Sequence, residues 1–317
     1  MAHLVESMAY VGETPWHGLG NPLSPHQPIE TWLVEAGMDW HIAQSDVLFN
    51  VAPDGLHIRP HSDAKVLYRS DTLAPLSVVS NRYKVVQPAE VLNFYQDLVS
   101  AGGFELETAG VLKGGRKLWA LARTGQESAL RGGDKVKAYL LLATSCDGSL
   151  CTTAQFTSVR VVCNNTLQMA TDHSQGAIKV PHSTKFDPAA VKQALGLGLS
   201  GWEQFMRSLK DLSQRPVSRQ EAQDYFSLVL DEALPENPDI SPSKTMQQVM
   251  ALYQGGGMGA TLSSSKGTAW GLLNAMTEYV DHHRRARNQD YRLDAAWFGQ
   301  GAQLKHKALN QALTLLH

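Results

Sequence analysis

Residues 136–170 read VKAYLLLATSCDGSLCTTAQFTSVRVVCNNTLQMA, and the fold turns on how they are parsed. Val136 to Ser145 and Ser149 to Phe156 are rich in β-branched and aromatic residues. Cys146-Asp147-Gly148 between them is a hairpin signal, because glycine enters positive φ without a Cβ clash. The pattern then changes. Val159, Val162, Cys163, Thr166, Leu167 and Ala170 recur at helical spacing, with Thr157 or Ser158 placed to act as N-cap. Read as a strand, Val159 to Cys163 would alternate Arg160 with apolar neighbours, so both readings are open locally. The stripe runs for three turns, which favours a helix whose outward face carries Arg160, Asn164, Gln168 and Thr171.

Upstream, Phe104 to Leu112 and Arg116 to Thr124 are strand-like runs around Lys113-Gly114-Gly115, a second hairpin signal. Before them Pro88 opens a helix over Ala89 to Ser100, where its missing N–H has no intrahelical partner to lose. Asp39 to Val51, Lys65 to Tyr68 and Leu76 to Val86 read as strands. Downstream the chain is helical. Asp187-Pro188 starts a helix to about Leu212, and Ser218 to Glu221 is a capping box opening another to about Ala233. Pro235 to Pro242 reads as a linker. Further helices cover Ser243 to Tyr253, Thr268 to Arg287 and Asp294 to Leu316, with a glycine- and serine-rich loop before the second. Strands first and helices after is α+β segregation, not βαβ alternation. The expectation is an antiparallel sheet of hairpins packed with helices in the first half and a helical second half. The division would fall at 1–186 and 187–317, with the helical region either separate or packed on the core as one domain.

At 317 residues, with 43% hydrophobic and 18% charged residues, the composition is globular rather than disordered. The net charge of −2 excludes a globally basic nucleic-acid binder, so any such site must be a local patch. No run of about 18 apolar residues is present and the start lacks a signal-peptide pattern, so no membrane association is expected. Three cysteines, an odd number in a long chain, suggest reduced thiols and a cytoplasmic setting in a bacterial host. Cys146 and Cys151 resemble half of a zinc site, but a second half is absent.

No cofactor or catalytic motif stands out. The Gly255 to Thr268 loop fails as a phosphate loop because Lys266 precedes Gly267-Thr268 instead of following the glycine that opens a helix. His57 and His61 span Pro60, which breaks the spacing of a helical ligand pair. Glu278 and His282 share a helix face with Asp281 nearby, which reads as a solvated ion pair before it reads as a metal site. The basic residues carry more. Lys113 and Arg116 bracket one turn, Lys135 and Lys137 open a strand, and Lys179, His182 and Lys185 lie in a loop. Arg284 and Arg285, with Arg287, end a late helix. Edge protection of strands and the helix macrodipole account for such groups taken singly. Convergence of several would make a phosphate-binding surface. Arg160 with Asn164 and Asn165 at a strand-to-helix junction suits phosphate or base-edge contact.

The assembled motifs resemble the phage/plasmid-like protein family of unknown function, number nine hundred and thirty-two in the domain-of-unknown-function series. They are Tyr10-Val11-Gly12-Glu13-Thr14-Pro15-Trp16-His17-Gly18-Leu19-Gly20, Ser80 to Gln87 (SNRYKVVQ), Val159 to Leu167 (VRVVCNNTL), Gly267-Thr268-Ala269-Trp270 through His282, and Ala296-Trp297-Phe298-Gly299. The family often has a proline where Ser158 stands. The resemblance implies a mobile-element context and no activity. In topology alone, strands feeding a helix are similar to the core of phage single-strand annealing recombinases. That points to a homo-oligomer holding single-stranded DNA in a basic groove between hairpins and helix. Lys113, Arg116, Lys135, Lys137 and Arg160 would supply charge, and Tyr83 or Trp119 a stacking surface. The alternative is a counter-defence protein that binds a host protein, and an enzyme is the less favoured reading.

Overall fold

A computed structural model describes residues 5–12, 20–52, 57–102, 104–160, 162, 165–168, 177–196, 201–233 and 241–317. In chain order the first elements are β1 (Val5–Val11), β2 (Asn21–Leu23), α1 (Ile29–Glu35), β3 (Ile42–Asn50), β4 (Ile58–Arg69), β5 (Pro75–Ser80) and α2 (Pro88–Gly102). The central strands are β6 (Glu105–Leu112), β7 (Lys117–Leu130), β8 (Asp134–Ser145), β9 (Thr152–Arg160), β10 (Asn165–Gln168) and β11 (Ala177–Val180). Then come α3 (Pro188–Gly196), α4 (Gly201–Gln214), α5 (Arg219–Leu230), α6 (Lys244–Ala251), α7 (Ala269–Glu278), α8 (Gln289–Phe298) and α9 (Gln300–Thr314). The class is α+β as the sequence implies, with a helical C-terminal half. No described helix is long and apolar enough to cross a membrane.

The chain forms two compact units. The first comprises residues 1–125, 140–155 and 177–196. Within it one sheet runs β9-β8-β7-β6-β1-β2, with β11 paired to β9. The hairpins are local and antiparallel, Leu112 facing Lys117 across the Lys113–Gly115 turn. α2 begins at Pro88, where the Glu90 carboxylate accepts the Gln87 N–H at 2.7 Å. Its buried face holds Val91, Leu92, Phe94 and Tyr95. The Tyr95 hydroxyl reaches the carbonyls of Ala120 (2.8 Å) and Leu140 (3.1 Å), which ties the helix to two central strands. A separate sheet in this unit, β3-β4-β5, is antiparallel. α1 lies in a stretch that reads as strands and loops. Its N-cap is Pro28, with no side-chain cap hydrogen bond, so the usual start signal is absent.

The second unit comprises residues 126–139, 156–176 and 197–317. Its centre is α7, all of whose residues are buried, the mark of a helix enclosed on every side. Thr268 caps it, accepting the Gly271 N–H at 3.1 Å. α5 starts at the Ser218–Glu221 capping box, both reciprocal bonds being present. Two helices end sooner than periodicity indicates. α6 and α7 pass into π-helical turns at Leu252–Gly256 and Tyr279–His283.

The helix expected from Val159 to Ala170 is a correction. β9 continues through Arg160 and β10 returns antiparallel to it, Asn165 opposite Arg160 and Gln168 opposite Thr157. Thr157 and Ser158 are buried strand residues, and both hydroxyls donate to the Leu167 carbonyl at 3.0 and 3.2 Å. They cap nothing.

Candidate nucleic-acid interface

Arg160 was expected on an exposed helical turn, and it is 2% exposed inside the second unit. Its guanidinium grips Asp134, Nε to Oδ1 at 2.8 Å and Nη2 to Oδ2 at 2.8 Å. Asp134 also accepts from the Ser264 hydroxyl (2.7 Å) and Trp270 Nε1 (3.0 Å). Arg160 donates further to Ser265 Oγ at 2.8 Å and to the Gly259 carbonyl at 3.2 Å. Burial alone would raise the Asp134 carboxyl. The hydrogen bonds and charge of Arg160, with Ser264 and Trp270, hold it below the usual carboxylate range. The arginine is thus committed to a latch that fastens the glycine- and serine-rich loop, and it cannot meet a phosphate.

The neighbouring carboxylates are also committed. Glu278 accepts the Met258 N–H at 2.9 Å, with His283 Nε2 at 3.6 Å. Burial pushes Glu278 above its ordinary range against the pull of that N–H and the His283 charge. Asp281 pairs with Lys305 at 2.7 Å and accepts the Thr166 N–H at 2.9 Å. The expected solvated Glu278–His282 pair is therefore corrected: Glu278 is buried and its partner is His283. Among the described residues no group of three His, Cys, Asp or Glu is arranged to hold a metal.

Of the remaining predicted contacts in this unit, Lys135 is exposed and Lys137 half-buried on β8. Arg284 donates to Gln300 Oε1 at 3.2 Å, and Arg285 is exposed. Asn164 lies outside the described residues, and Asn165 is described by its backbone, opposite Arg160.

In the first unit, four turns knit together at one end of the large sheet. The Ser145–Leu150 turn is closed by Ser145 Oγ, which lies 3.0 Å from both the N and O of Leu150. The Lys113–Arg116 turn is fastened to it, since the Arg116 carbonyl accepts the Cys146 N–H at 2.9 Å. The Asn81–Lys84 loop joins through the Tyr83 hydroxyl, which donates to the Ser145 carbonyl at 2.8 Å. The loop after β11 joins through His182. Its Nε2 lies 2.9 Å from the Leu150 carbonyl and its Nδ1 3.1 Å from the Lys84 carbonyl, while Tyr83 stacks on the ring at 4.3 Å. Each ring nitrogen thus faces a backbone carbonyl, so the imidazole bridges two of the turns.

This knot gathers cations that are distant in sequence. Arg82, Lys84, Arg116 and Lys185 are exposed, and Lys113 is half-buried. Lys65 reaches in from β4 to donate to the Tyr83 carbonyl at 2.9 Å. Burial, and then the charge of Lys84, lower the Lys65 ammonium below its ordinary range. Asp147 is the carboxylate within the turn, and it accepts the Ser149 N–H at 2.9 Å. Lys179, also exposed, faces Thr153 across the β11–β9 pair. Lys113, Arg116 and Lys185 are thus brought to one place. Lys65, Arg82, Lys84 and the inward role of His182 escape sequence reasoning. The run Asn81-Arg82-Tyr83-Lys84 after a strand was the available signal. Trp119 is buried at 2%, so it offers no stacking surface.

The family model described as Domain of unknown function (DUF932) matches residues 75–297, and the chain belongs to that family. No curated protein and no solved structure matches the chain.

Proposed function

We propose, from membership of a family that fixes no activity, that this protein binds single-stranded DNA through the cationic turn knot of its first unit. The observation that carries the reading is the convergence of Lys65, Arg82, Lys84, Lys113, Arg116 and Lys185 on turns that hydrogen bonds hold together. A chain of net charge −2 that concentrates cations locally has the electrostatics of a phosphate site rather than of a uniformly basic surface. Backbone phosphates would be tracked by these side chains, with counterions released on binding. The groove between hairpins and helix has no part in this reading, because Arg160 is buried and residues 157–160 and 165–168 are paired strands. A mobile-element setting is the biological frame that the motif resemblance supports, whereas the annealing expectation rested on strands feeding a helix at residues 159–170, and 157–160 pair with 165–168 as strands.

The test is fluorescence anisotropy of a labelled oligo-dT across a salt series. With about four phosphates neutralised, log K should fall with log salt at a slope of roughly −3, as about −0.7 per phosphate predicts. Arg82→Ala, Lys84→Ala and Arg116→Ala should each weaken binding and flatten the slope by about 0.7. Lys135→Ala with Lys137→Ala should leave both unchanged. Absence of salt-dependent binding refutes the proposal.

A further inference from the structure

β3 and β4 leave the body of their sheet as a two-stranded ribbon. Residues 48–50 and 57–63 are all exposed, so both faces of the ribbon meet solvent. Such a ribbon gains little stability of its own in water. It nevertheless displays Leu48, Phe49, Val51 and Ile58 at 60%, 47%, 54% and 61% exposure, a concentration of apolar surface that marks an interaction site.

The register sorts the side chains. Val47 pairs with His61, Phe49 with Arg59, and the Val51 N–H donates to the His57 carbonyl at 2.9 Å. By strand alternation these residues share one face. The other face takes Asp46, Leu48, Asn50, Ile58 and Pro60. Between residues 47 and 61 the described part of this face therefore holds an aromatic ring among an arginine and two imidazoles; Asp63 follows His61 at the ribbon's root, and Asp46 lies on the opposite side. Phe49 and His61 meet edge to face at 6.4 Å. His61 Nδ1 accepts the Asp63 N–H at 3.3 Å, which leaves Nε2 as the donor.

We infer that this face of the ribbon is a platform for the unpaired bases of a single strand, with Phe49 stacking on a base and Arg59 and the imidazoles meeting its phosphates and polar edges. Aromatic rings interleaved with cations are the sequence-tolerant way to hold unpaired bases. The inference rests on the proposed single-strand binding and extends it along β4. The same strand carries Lys65 into the cationic knot, six residues from Arg59 and at most roughly 20 Å away at about 3.3 Å per residue. Asn81 fixes the ribbon's root by donating its N–H to the Asp63 carbonyl at 3.1 Å and its side-chain amide to the Ser62 carbonyl.

The experiment compares the full-length protein with Phe49→Ala, Phe49→Trp and Arg59→Ala on two probes, oligo-dT and an abasic oligonucleotide of equal length. Phe49→Ala should lose about five- to a hundred-fold in affinity for oligo-dT and little for the abasic strand, and Phe49→Trp should restore it. Both positions are exposed, and circular dichroism checks that the fold is kept. If the wild type binds oligo-dT with the expected salt slope and Phe49→Ala binds both probes equally well, the platform is overturned while the knot reading stands. If the wild type binds neither probe, both fall. If Phe49→Ala leaves DNA affinity intact but changes the molar mass by light scattering, the ribbon is a contact between copies and the platform is overturned.

Discussion

Substituting Asp134 tests whether its pair with Arg160 is the latch of the second unit. The two side chains are 0% and 2% exposed, and five donated hydrogen bonds from Arg160, Ser264 and Trp270 converge on one carboxylate at 2.7–3.0 Å. Asp134→Leu strands a buried guanidinium, although Arg160 keeps Ser265 Oγ and the Gly259 carbonyl. Removing one partner of a buried pair costs about 3–5 kcal/mol. Replacing both, as Asp134→Leu with Arg160→Met, removes the unpaired charge too. The remaining cost is that of the orphaned Ser264 and Trp270 donors, about 1–3 kcal/mol each, which the single variant bears as well. The assay is amide hydrogen exchange of α7, whose protection reports opening of that unit. The single variant should exchange about two to nearly four decades faster, at about 1.4 kcal/mol per decade. The double variant should recover part of that loss. A single-variant cost below about 1 kcal/mol, or a double variant whose cost equals the two single costs added together, would show that no coupled latch exists.

Three further outcomes are expected. Burial raises Glu278 in the folded state, so its contribution is present below the ordinary glutamate range and is lost as pH rises through the folded value; Glu278→Gln, which keeps an acceptor for Met258 N–H, should gain stability on the wild type as pH rises, read by thermal melts across pH. Asp134 has the opposite sign: its depressed carboxyl contributes above the ordinary aspartate range and loses that contribution on acidification through the lowered value. Burial and the Asp147 charge push the Cys146 thiol up to about 12, so maleimide at pH 7.5 should label the less buried Cys151 and spare Cys146, as peptide mass spectrometry will show. Gly271→Ala, ordinarily favourable in a helix, should destabilise by about 1–3 kcal/mol in denaturant titration, because a Cβ there would stand 2.0 Å from the Ser265 carbonyl oxygen.

What was legible in the sequence was local. The Asp147-Gly148 turn, the Lys113–Gly115 turn, the entry at Pro88 and the Ser218–Glu221 box each depend on neighbours a few residues away, and each is where the residues put it. The reading of residues 157–168 failed because a non-local partner decided it. Apolar spacing compatible with a helix was overridden by β9–β10 pairing and by an aspartate 26 residues upstream that neutralises Arg160. The knot failed to appear for the same reason. Lys65, Lys84, Arg116 and His182 are scattered along the chain, and only hydrogen bonds to shared turns bring them together. Charge counting sees each as ordinary surface.

The division of the chain has a consequence for synthesis. The first unit draws on three separate stretches and the second on another three, and β7, β8 and β9 each contribute residues to both. The first unit is incomplete until residue 196 has left the ribosome, and residues 126–139 and 156–176 must wait for the C-terminal helices they belong with. The usual order of one domain finishing before the next begins is therefore closed to this chain. A stop after residue 196 leaves every stretch of the first unit together with two stranded stretches of the second, so no single cut releases either unit free of the other.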